Sequence, residues 1–300
     1  YIKSDLNLIP KLMENLLPAI SEIEELLDFS FLDIEFAITE DKVIHLFQVR
    51  PMAIKYEDTD IDDIEIFTII DRACEDFKEL KIPKPFVLGD YPIYGLMPDW
   101  NPAEIIGTKP SRLAFTLYCY LISDEIWAKQ RLEYGYRDLR PNKLIRLFAG
   151  QPFVDVRASI NSFIPNTIEN CFAEKLINFY SKWLIKYPDL HDKLEFEVLP
   201  TCFTLDFNKW EDRLNQYGSF SKSEINTYKI ALKNITIKVI KRINNDLKLI
   251  KKIESRYKKI INSRAKNIDK ALMLLDECKE FGTLPFAHLA RAAFMSIAIL

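Results

Sequence analysis

Polar and apolar residues alternate in two short segments near the start of the chain, after a region with helical periodicity. Over residues 5–28 the apolar positions recur every three or four residues, which predicts an amphipathic helix. Residues 31–38 and 43–50 alternate with period two, which is typical of strands. The four polar residues 39–42 connect them, so this part of the chain is predicted to form a helix followed by a β-hairpin.

The remainder of the chain is patterned mainly as helices. Apolar residues at helical spacing predict helices over the segments 64–80, 111–134, 167–186, 221–281 and from residue 284 onward. Short strands are predicted within 144–163 and 194–205. An acidic linker composition around residue 57 divides the chain into domains of residues 1–56 and 57–300. The predicted fold class is therefore α+β and mostly helical.

Composition narrows the class of protein. The chain has 300 residues, 48% of them hydrophobic and 28% charged, which excludes a disordered or fibrous protein. Its five cysteines are odd in number and never spaced as CxxC, which argues against a disulfide framework or a zinc site and favours the cytoplasm. No apolar run approaches the roughly 20 residues that span a bilayer, so no membrane segment is predicted.

Positive charge is concentrated in residues 222–270, which contain 15 Lys and Arg against 4 Asp and Glu, although the formal net charge of the chain is −3. Apolar residues from Ile225 to Tyr257 follow a packing stripe, so the simplest interpretation places the lysines on a solvated helical surface. The alternative is an electrostatic landing surface for a charged carrier domain. Nucleic acid is not predicted as a partner.

The predicted hairpin collects polar side chains on one face. Pairing the strands about the central turn predicts a polar face made of Asp33, Glu35, Gln48 and Arg50. Glu35 and Gln48 are then diagonal neighbours, and His45 lies on the opposite, apolar face. Carboxylate and carboxamide oxygens suit Mg²⁺, and a guanidinium suits phosphate. A solvated face of an edge hairpin would show the same pattern, so both interpretations stay open.

Two runs in the hairpin resemble a known signature. Residues 32–38 read Leu-Asp-Ile-Glu-Phe-Ala-Ile and residues 46–51 read Leu-Phe-Gln-Val-Arg-Pro. They resemble the end of the ATP-grasp domain in phosphoenolpyruvate synthases and pyruvate phosphate dikinases. The resemblance implies that Glu35 and Gln48 bind Mg²⁺ and that Arg50 contacts the phosphates of ATP. It also implies that the first part of the ATP-grasp domain and a phosphohistidine domain belong to the same polypeptide outside this chain, which begins at Tyr1 and is expected to be a piece of it.

Further segments resemble one branch of that family. Residues 98–107, 134–137, 155–165 and 282–294 are similar to the central region of a capsule-locus branch that includes an L-glutamine kinase. The resemblance implies that ATP becomes AMP and phosphate by way of a pyrophosphorylated histidine, and that the acceptor is a small amino acid or amide such as L-glutamine. A phosphoenolpyruvate synthase, an antibiotic phosphotransferase and a non-catalytic regulatory relic remain as alternatives.

Three residues of the second domain are candidates for the acceptor site. If 153–161 forms a strand, Asp155 and Arg157 share its polar face, where they match the ammonium and carboxylate of a zwitterion. A mutual surface ion pair without function is the alternative. His288 lies three residues before Arg291 on one helical face, where it would line a substrate site or be bonded at a domain interface. Four further residues are predicted to cap the start of a helix or to contribute polar groups to the site: Asp99, Trp100, Asn101 and Glu104.

Overall fold

The computed structural model describes residues 16–29, 32–39, 41, 43–51, 63–80, 82, 84–96 and 98–299. About 64% of the structure is helical and a few short strands form two small sheets, which confirms the mostly helical α+β fold. The chain divides into two compact units, Tyr1–Asp62 and Asp63–Leu300. The domain boundary predicted after residue 56 lies outside the described residues.

The first unit contains a helix and a hairpin. Helix α1 (Leu16–Leu27) precedes strands β1 (Leu32–Ile38) and β2 (Ile44–Pro51), which pair antiparallel. These elements match the predicted order. The part of the predicted first helix before residue 16 lies outside the described residues.

The second unit is built from helices around a small sheet. Its helices are α2 (Asp63–Leu80), α3 (Pro102–Ile105), α4 (Arg112–Tyr118), α5 (Ile126–Tyr134), α6 (Val156–Ser162), α7 (Asn170–Lys186), α8 (Asn208–Gly218), α9 (Lys222–Ile250), α10 (Ile253–Ile261), α11 (Asn267–Glu277) and α12 (Leu284–Ile299). The antiparallel sheet has the order β3 (Tyr94–Gly95), β5 (Gln151–Asp155), β4 (Ile145–Phe148). Short π-helical turns interrupt this pattern at Cys119–Ser123, Leu194–Val198 and Cys278–Thr283.

Two strand predictions in this unit are wrong. The strand predicted over 153–161 ends at Asp155, where the side chain accepts a hydrogen bond from the backbone nitrogen of Ala158 and starts α6. This side chain supplies one of the partners that the first turn of a helix lacks, so the chain turns helical there. The segment 194–205 contains a π-helical turn, in which buried Leu194 and Val198 lie four residues apart.

The long helix α9 confirms only part of its predicted packing stripe. It begins with a capping box between Ser221 and Glu224, and it buries apolar residues from Ile225 to Val239 against the main core. Further along, Leu247 is 44% exposed and Tyr257 on α10 is 50% exposed, so the stripe prediction is wrong there. In the described structure no residue of α10 or α11 is buried, so the apolar residues on these two helices are at least partly exposed.

One stretch of the described chain, Asn267–Ile299, is long and apolar enough to cross a membrane by length and composition alone. It joins α11, a π-helical turn and α12, and 39% of its most apolar window is buried. A core helix meets the same criterion. The buried His288 and Arg291 on α12 favour that interpretation.

Cysteine reactivity provides a first prediction. Cys202 is buried, and burial raises the pKa of its thiol to about 11, whereas Cys74, Cys171 and Cys278 are exposed. Below pH 9.0 the folded protein should therefore leave Cys202 unalkylated while the three exposed thiols react with iodoacetamide. Mass spectrometry of the alkylated peptides measures the labelling, and equal labelling of all four thiols would contradict this prediction.

The same pKa shift predicts a pH dependence of stability. As the pH rises above 9.0, only the unfolded chain ionises the thiol of Cys202, so the free energy of unfolding should fall.

Candidate functional site

The hairpin pairs its strands in a register that differs from the prediction. Glu35 lies directly opposite Gln48 and Asp33 directly opposite Arg50, whereas the predicted register made Glu35 and Gln48 diagonal neighbours. Two one-residue shifts cause this difference: beside the turn Ile38 pairs with Ile44 and not with Val43, and at an irregularity between Glu35 and Phe36 strand β2 contributes one extra residue. That residue is Phe47, whose side chain is 69% exposed. A bulge of this kind shifts every pair on one side of it by one residue.

The pairing beside the turn also changes the position predicted for His45. Ala37 is the partner of His45, so the histidine shares the face of Asp33 and Glu35 instead of the apolar face predicted for it. The apolar face pairs Phe36 with Leu46 and Ile38 with Ile44.

The polar face carries one ion pair at its end. Nε of Arg50 donates to Oδ2 of Asp33 at 2.7 Å, and both side chains are largely exposed. Such a pair contributes about 0–1 kcal/mol to stability, but it orients the guanidinium beside the Glu35–Gln48 pair. The predicted polar face of Asp33, Glu35, Gln48 and Arg50 is present on this register. Partners directly opposite in an antiparallel sheet have Cβ atoms about 4.5–5.5 Å apart, so Glu35 and Gln48 can both reach one cation.

Metal ligands elsewhere are not assembled in the described part of the chain. No group of three or more His, Cys, Asp or Glu side chains there is placed to hold a metal ion. A Mg²⁺ site needs less, because Mg²⁺ is usually bound through one or two carboxylates together with phosphates and water. The Glu35–Gln48 pair meets that smaller requirement.

Asp155 and Arg157 do not form the predicted zwitterion site. Asp155 is 1% exposed, and its Oδ2 accepts from Nζ of Lys84 at 2.5 Å and from the hydroxyl of Tyr94 at 3.3 Å. Arg157 is also buried and donates from Nη1 to the backbone oxygen of Gly89 at 3.1 Å. The two side chains therefore diverge because a helix, not a strand, follows Asp155. The predicted mutual Asp155–Arg157 ion pair is not among the salt bridges of the described residues.

His288 belongs to a charged cluster between three helices. Its imidazole has no exposed surface, with Nε2 3.3 Å from Oε2 of Glu133 on α5 and Nδ1 3.4 Å from Oδ1 of Asp246 on α9. Arg242 bridges the same two carboxylates, at 2.5 Å from Glu133 and 2.9 Å from Asp246. The ring also packs edge-on against Tyr134, with centroids 4.9 Å apart. These contacts correspond to the bonded-histidine alternative, except that the cluster lies within the second unit and not at a domain interface.

The cluster predicts a pH dependence of stability. Burial raises the pKa of Glu133, but His288 and Arg242 lower it more, so its pKa lies below the ordinary 4.5. A lowered carboxyl pKa stabilises the fold above pH 4.5, and this contribution is lost as the pH falls towards the folded-state pKa. The free energy of unfolding of Glu133→Gln should therefore decline less steeply below pH 4.5 than that of the wild type. Urea titrations at several pH values measure the slope, and identical slopes would contradict the cluster.

A cleft of about 190 Å³ opens inside the second unit. It lies between the loop before α3, helix α5, the π-helical turn Leu194–Val198 and α12. Its principal lining side chains are Asp99, Trp100, Gln130, Arg131, Glu195 and Arg291. Within the described residues Asp155, Arg157 and His288 are not part of this lining. Of the predicted face on α12, Arg291 reaches the cleft and His288 points to the charged cluster.

Two buried arginines dominate the floor of the cleft. Nη2 of Arg131 donates to both carboxylate oxygens of Asp99, each at 2.7 Å, and Nη2 of Arg291 lies 2.6 Å from Oε2 of Glu195. Both guanidiniums pack on the ring of Phe163, with their central carbons 3.8 Å and 4.6 Å from its centroid. Each arginine is thus compensated by one carboxylate and held over an aromatic ring.

The backbone at the cleft rim is strained. Trp100 and Asn101 adopt φ angles of 53° and 21°, which residues with a side chain rarely take. The side chain of Asn101 accepts from the backbone nitrogen of Glu104, which confirms the predicted helix cap. Strain of this kind costs about 1–3 kcal/mol per residue and is concentrated at binding sites.

Sequence patterns did not single out Gln130, Arg131 or Glu195. Gln130 and Arg131 are adjacent polar residues on a helix that is buried on nearly all sides, and this combination is the signal that was available. Buried polar residues on such a helix require partners from elsewhere in the fold.

The hairpin thus brings together a carboxylate, a carboxamide and a guanidinium on one face, and the cleft is lined mainly by charged and aromatic side chains. No protein-family model, curated protein or solved structure matches the chain, so its family resemblance remains a prediction.

Proposed function

We propose that this chain is part of an ATP-dependent phosphotransferase of the dikinase type. Its hairpin binds Mg²⁺ and ATP, and its helical unit serves a small amino-acid or amide acceptor such as L-glutamine. The observation that supports this most is the direct pairing of Glu35 with Gln48, next to the pair of Asp33 with Arg50, on one face. The resemblance of the same residues to the ATP-grasp signature also supports it.

The three side chains have complementary roles. Glu35 offers a negative oxygen and Gln48 a neutral one, so a cation would be held without the added repulsion that a second carboxylate would exert on the phosphates. When bound, Mg²⁺ would neutralise charge on the triphosphate. Arg50 would donate two parallel hydrogen bonds to phosphate oxygens, a geometry that lysine cannot reproduce. Asp33 orients this guanidinium.

The overall reaction balances with water as a reactant. ATP, water and the acceptor become AMP, orthophosphate and the phosphorylated acceptor. A histidine on a domain outside this chain carries the phosphoryl group between the two sites. His288 does not take this role, since its imidazole is fully buried in the cluster with Glu133 and Asp246.

The product pattern tests this proposal. The full-length polypeptide is incubated with ATP, Mg²⁺ and L-glutamine, and ³¹P NMR follows the nucleotides. We expect AMP, orthophosphate and a new phosphoramidate signal. AMP formed only with another acceptor would retain the reaction class and replace L-glutamine. Unchanged ATP with every acceptor, or ADP as the sole nucleotide product, would rule out the dikinase type.

A further inference from the structure

The long helix α9 has two faces of different character. One face is buried in the main core and carries the apolar residues from Ile225 to Val239. The opposite face is exposed over roughly six turns of helix, up to the C-cap residue Lys251. This outer face consists of nine exposed residues at helical spacing: Ile230, Lys233, Ile237, Ile240, Lys241, Asn244, Leu247, Lys248 and Lys251.

Four aliphatic side chains form a row along the outer face. Ile230, Ile237, Ile240 and Leu247 are 51%, 42%, 53% and 44% exposed. They follow one another at intervals of seven, three and seven residues, which places them on one side of the helix. Scattered exposed aliphatic residues are normal, but a contiguous row keeps apolar area in water and marks a surface that binds an apolar partner.

The charge around this row has one sign. Between Ile225 and Lys252 the sequence has a single acidic residue, Asp246, which is buried and paired with Arg242. Within the described residues no carboxylate forms an ion pair with the exposed lysines on or beside the outer face. These lysines are Lys233, Lys238, Lys241, Lys248, Lys251 and Lys252. The partner of this surface is therefore expected to be both anionic and apolar.

A second copy of the chain and a nucleic acid each lack one of these properties. Pairing the outer face with the same face of a second copy would bring six lysines against six lysines. Nucleic acids are read by arginine forks and by aromatic rings that stack on bases, and the nine residues of the outer face include neither. A phosphodiester backbone also offers no apolar surface to Ile237 and Ile240.

An anionic phospholipid bilayer has both properties. Its phosphate headgroups attract lysines that approach the surface, and the boundary between headgroups and acyl chains accepts aliphatic side chains. Lysine stems lie along apolar surface while their ammonium groups reach the headgroups, so the lysines and the aliphatic row bind at the same time. The buried face of α9 stays in the protein core, and the helix lies flat on the membrane without crossing it.

We infer that α9 binds the surface of an anionic phospholipid membrane through its outer face. Ile237 and Ile240 then lie at the headgroup boundary, and the six lysines contact lipid phosphates. This binding goes beyond the proposed phosphotransfer and does not depend on it.

Flotation of the full-length polypeptide with vesicles tests the inference. Vesicles of equal parts phosphatidylglycerol and phosphatidylcholine are compared with vesicles of phosphatidylcholine alone. We expect binding to the anionic vesicles at about 0.1 M salt and no binding to the neutral ones. The protein should be released at about 1 M salt, where the Debye length falls to about 3 Å.

Two double variants separate the charged and the apolar contributions. Lys241→Gln with Lys248→Gln should weaken binding to the anionic vesicles about tenfold or more, because each lysine near such a surface adds about a fivefold preference. Ile237→Ala with Ile240→Ala should also weaken it about tenfold or more, because the aliphatic carbons that enter the boundary are lost. Alanine favours the helix, so this pair preserves α9.

Lys182→Gln with Lys186→Gln is the matched control. These two lysines are exposed on α7, outside the outer face, and the net charge changes by the same amount, so vesicle binding should be nearly unchanged. Circular dichroism checks the fold of each variant, and the lysine variants decide the outcome if the alanine pair unfolds.

Three results of the vesicle assay would overturn the inference. They are absence of binding to the anionic vesicles, equal binding to the neutral vesicles, and an equal loss in the α7 control. Duplex DNA that binds as tightly as the vesicles, with no loss in the alanine pair, would assign the outer face to nucleic acid and also overturn it. None of these results bears on AMP formation, which tests the phosphotransferase separately.

Discussion

Glu35→Gln in the full-length polypeptide is expected to reduce AMP formation about 100-fold or more, which is the scale of losing an electrostatic contact to the reacting phosphates. The substitution preserves shape and removes the charge that faces the cation on the hairpin. The loss should be largest at low Mg²⁺, because the variant loses affinity for the cation. Initial rates of AMP release over a range of Mg²⁺ concentrations measure both effects.

Asp41→Asn is the control for this variant. Asp41 lies in the turn of the same hairpin, and its pKa is lowered chiefly by a hydrogen bond from Thr39, with no role in the polar face. AMP formation should remain at the wild-type rate in this variant. A Glu35→Gln enzyme that works at wild-type rate under limiting Mg²⁺ would remove Glu35 from the site.

Asp99→Ala is expected to produce the largest loss of stability. It leaves the guanidinium of Arg131 buried without its carboxylate, and breaking a buried pair in this way costs about 3–5 kcal/mol. Ser159 also loses its acceptor, since its hydroxyl donates to Oδ2 of Asp99 at 2.6 Å. Urea denaturation followed by circular dichroism measures the free energy of unfolding.

Two further variants are controls for the stability loss of Asp99→Ala. Asp99→Ala combined with Arg131→Met should cost less than the sum of the two single changes, because the pair is removed as a unit. Glu254→Gln breaks an exposed pair with Lys258 and should change stability by no more than about 1 kcal/mol. Equal losses for Asp99→Ala and Glu254→Gln would mean that the buried pair is not stabilising.

In the first unit local periodicity was enough to predict the elements but not their pairing. The helix and the two strands of the first unit follow from the spacing of apolar residues, whereas the register depends on the pairing beside the turn and on a bulge at Phe47. Leu46 and Phe47 are both apolar, so the pattern does not reveal which of them is the extra residue. This residue decides whether Glu35 and Gln48 are direct partners, and the pairing of Ile38 with Ile44 beside the turn decides on which face His45 lies.

The alternation of apolar and polar residues predicted a strand at the start of α6, where a helix cap changes the structure. Val154, Val156 and Ala158 continue an alternating pattern across the start of α6, and all three are buried, because the strand and the helix both face the core. The capping side chain of Asp155 ends the strand at that point. An isolated aspartate in an alternating run is as typical of a solvent-facing strand residue as it is of a helix cap.

The cleft was beyond the reach of sequence patterns for a different reason. Its pairs join residues far apart in the chain, with Asp99 and Arg131 separated by 32 residues and Arg291 and Glu195 by 96. Helical and strand periodicities describe neighbours within one element, so they carry no information on such contacts. Arg291 was placed on the correct helix, but its partner was not predicted.

The most direct test of the account is whether the side chain of Gln48 lies next to the metal of bound nucleotide. Mn²⁺ with ATP is added to the full-length polypeptide labelled with ¹⁵N-glutamine, and the Gln48 amide signal is assigned with the variant Gln48→Leu. We predict strong paramagnetic broadening of this signal when Mn²⁺ and ATP are both present. A Gln48 signal that stays sharp while the nucleotide is bound would contradict the hairpin as the ATP site.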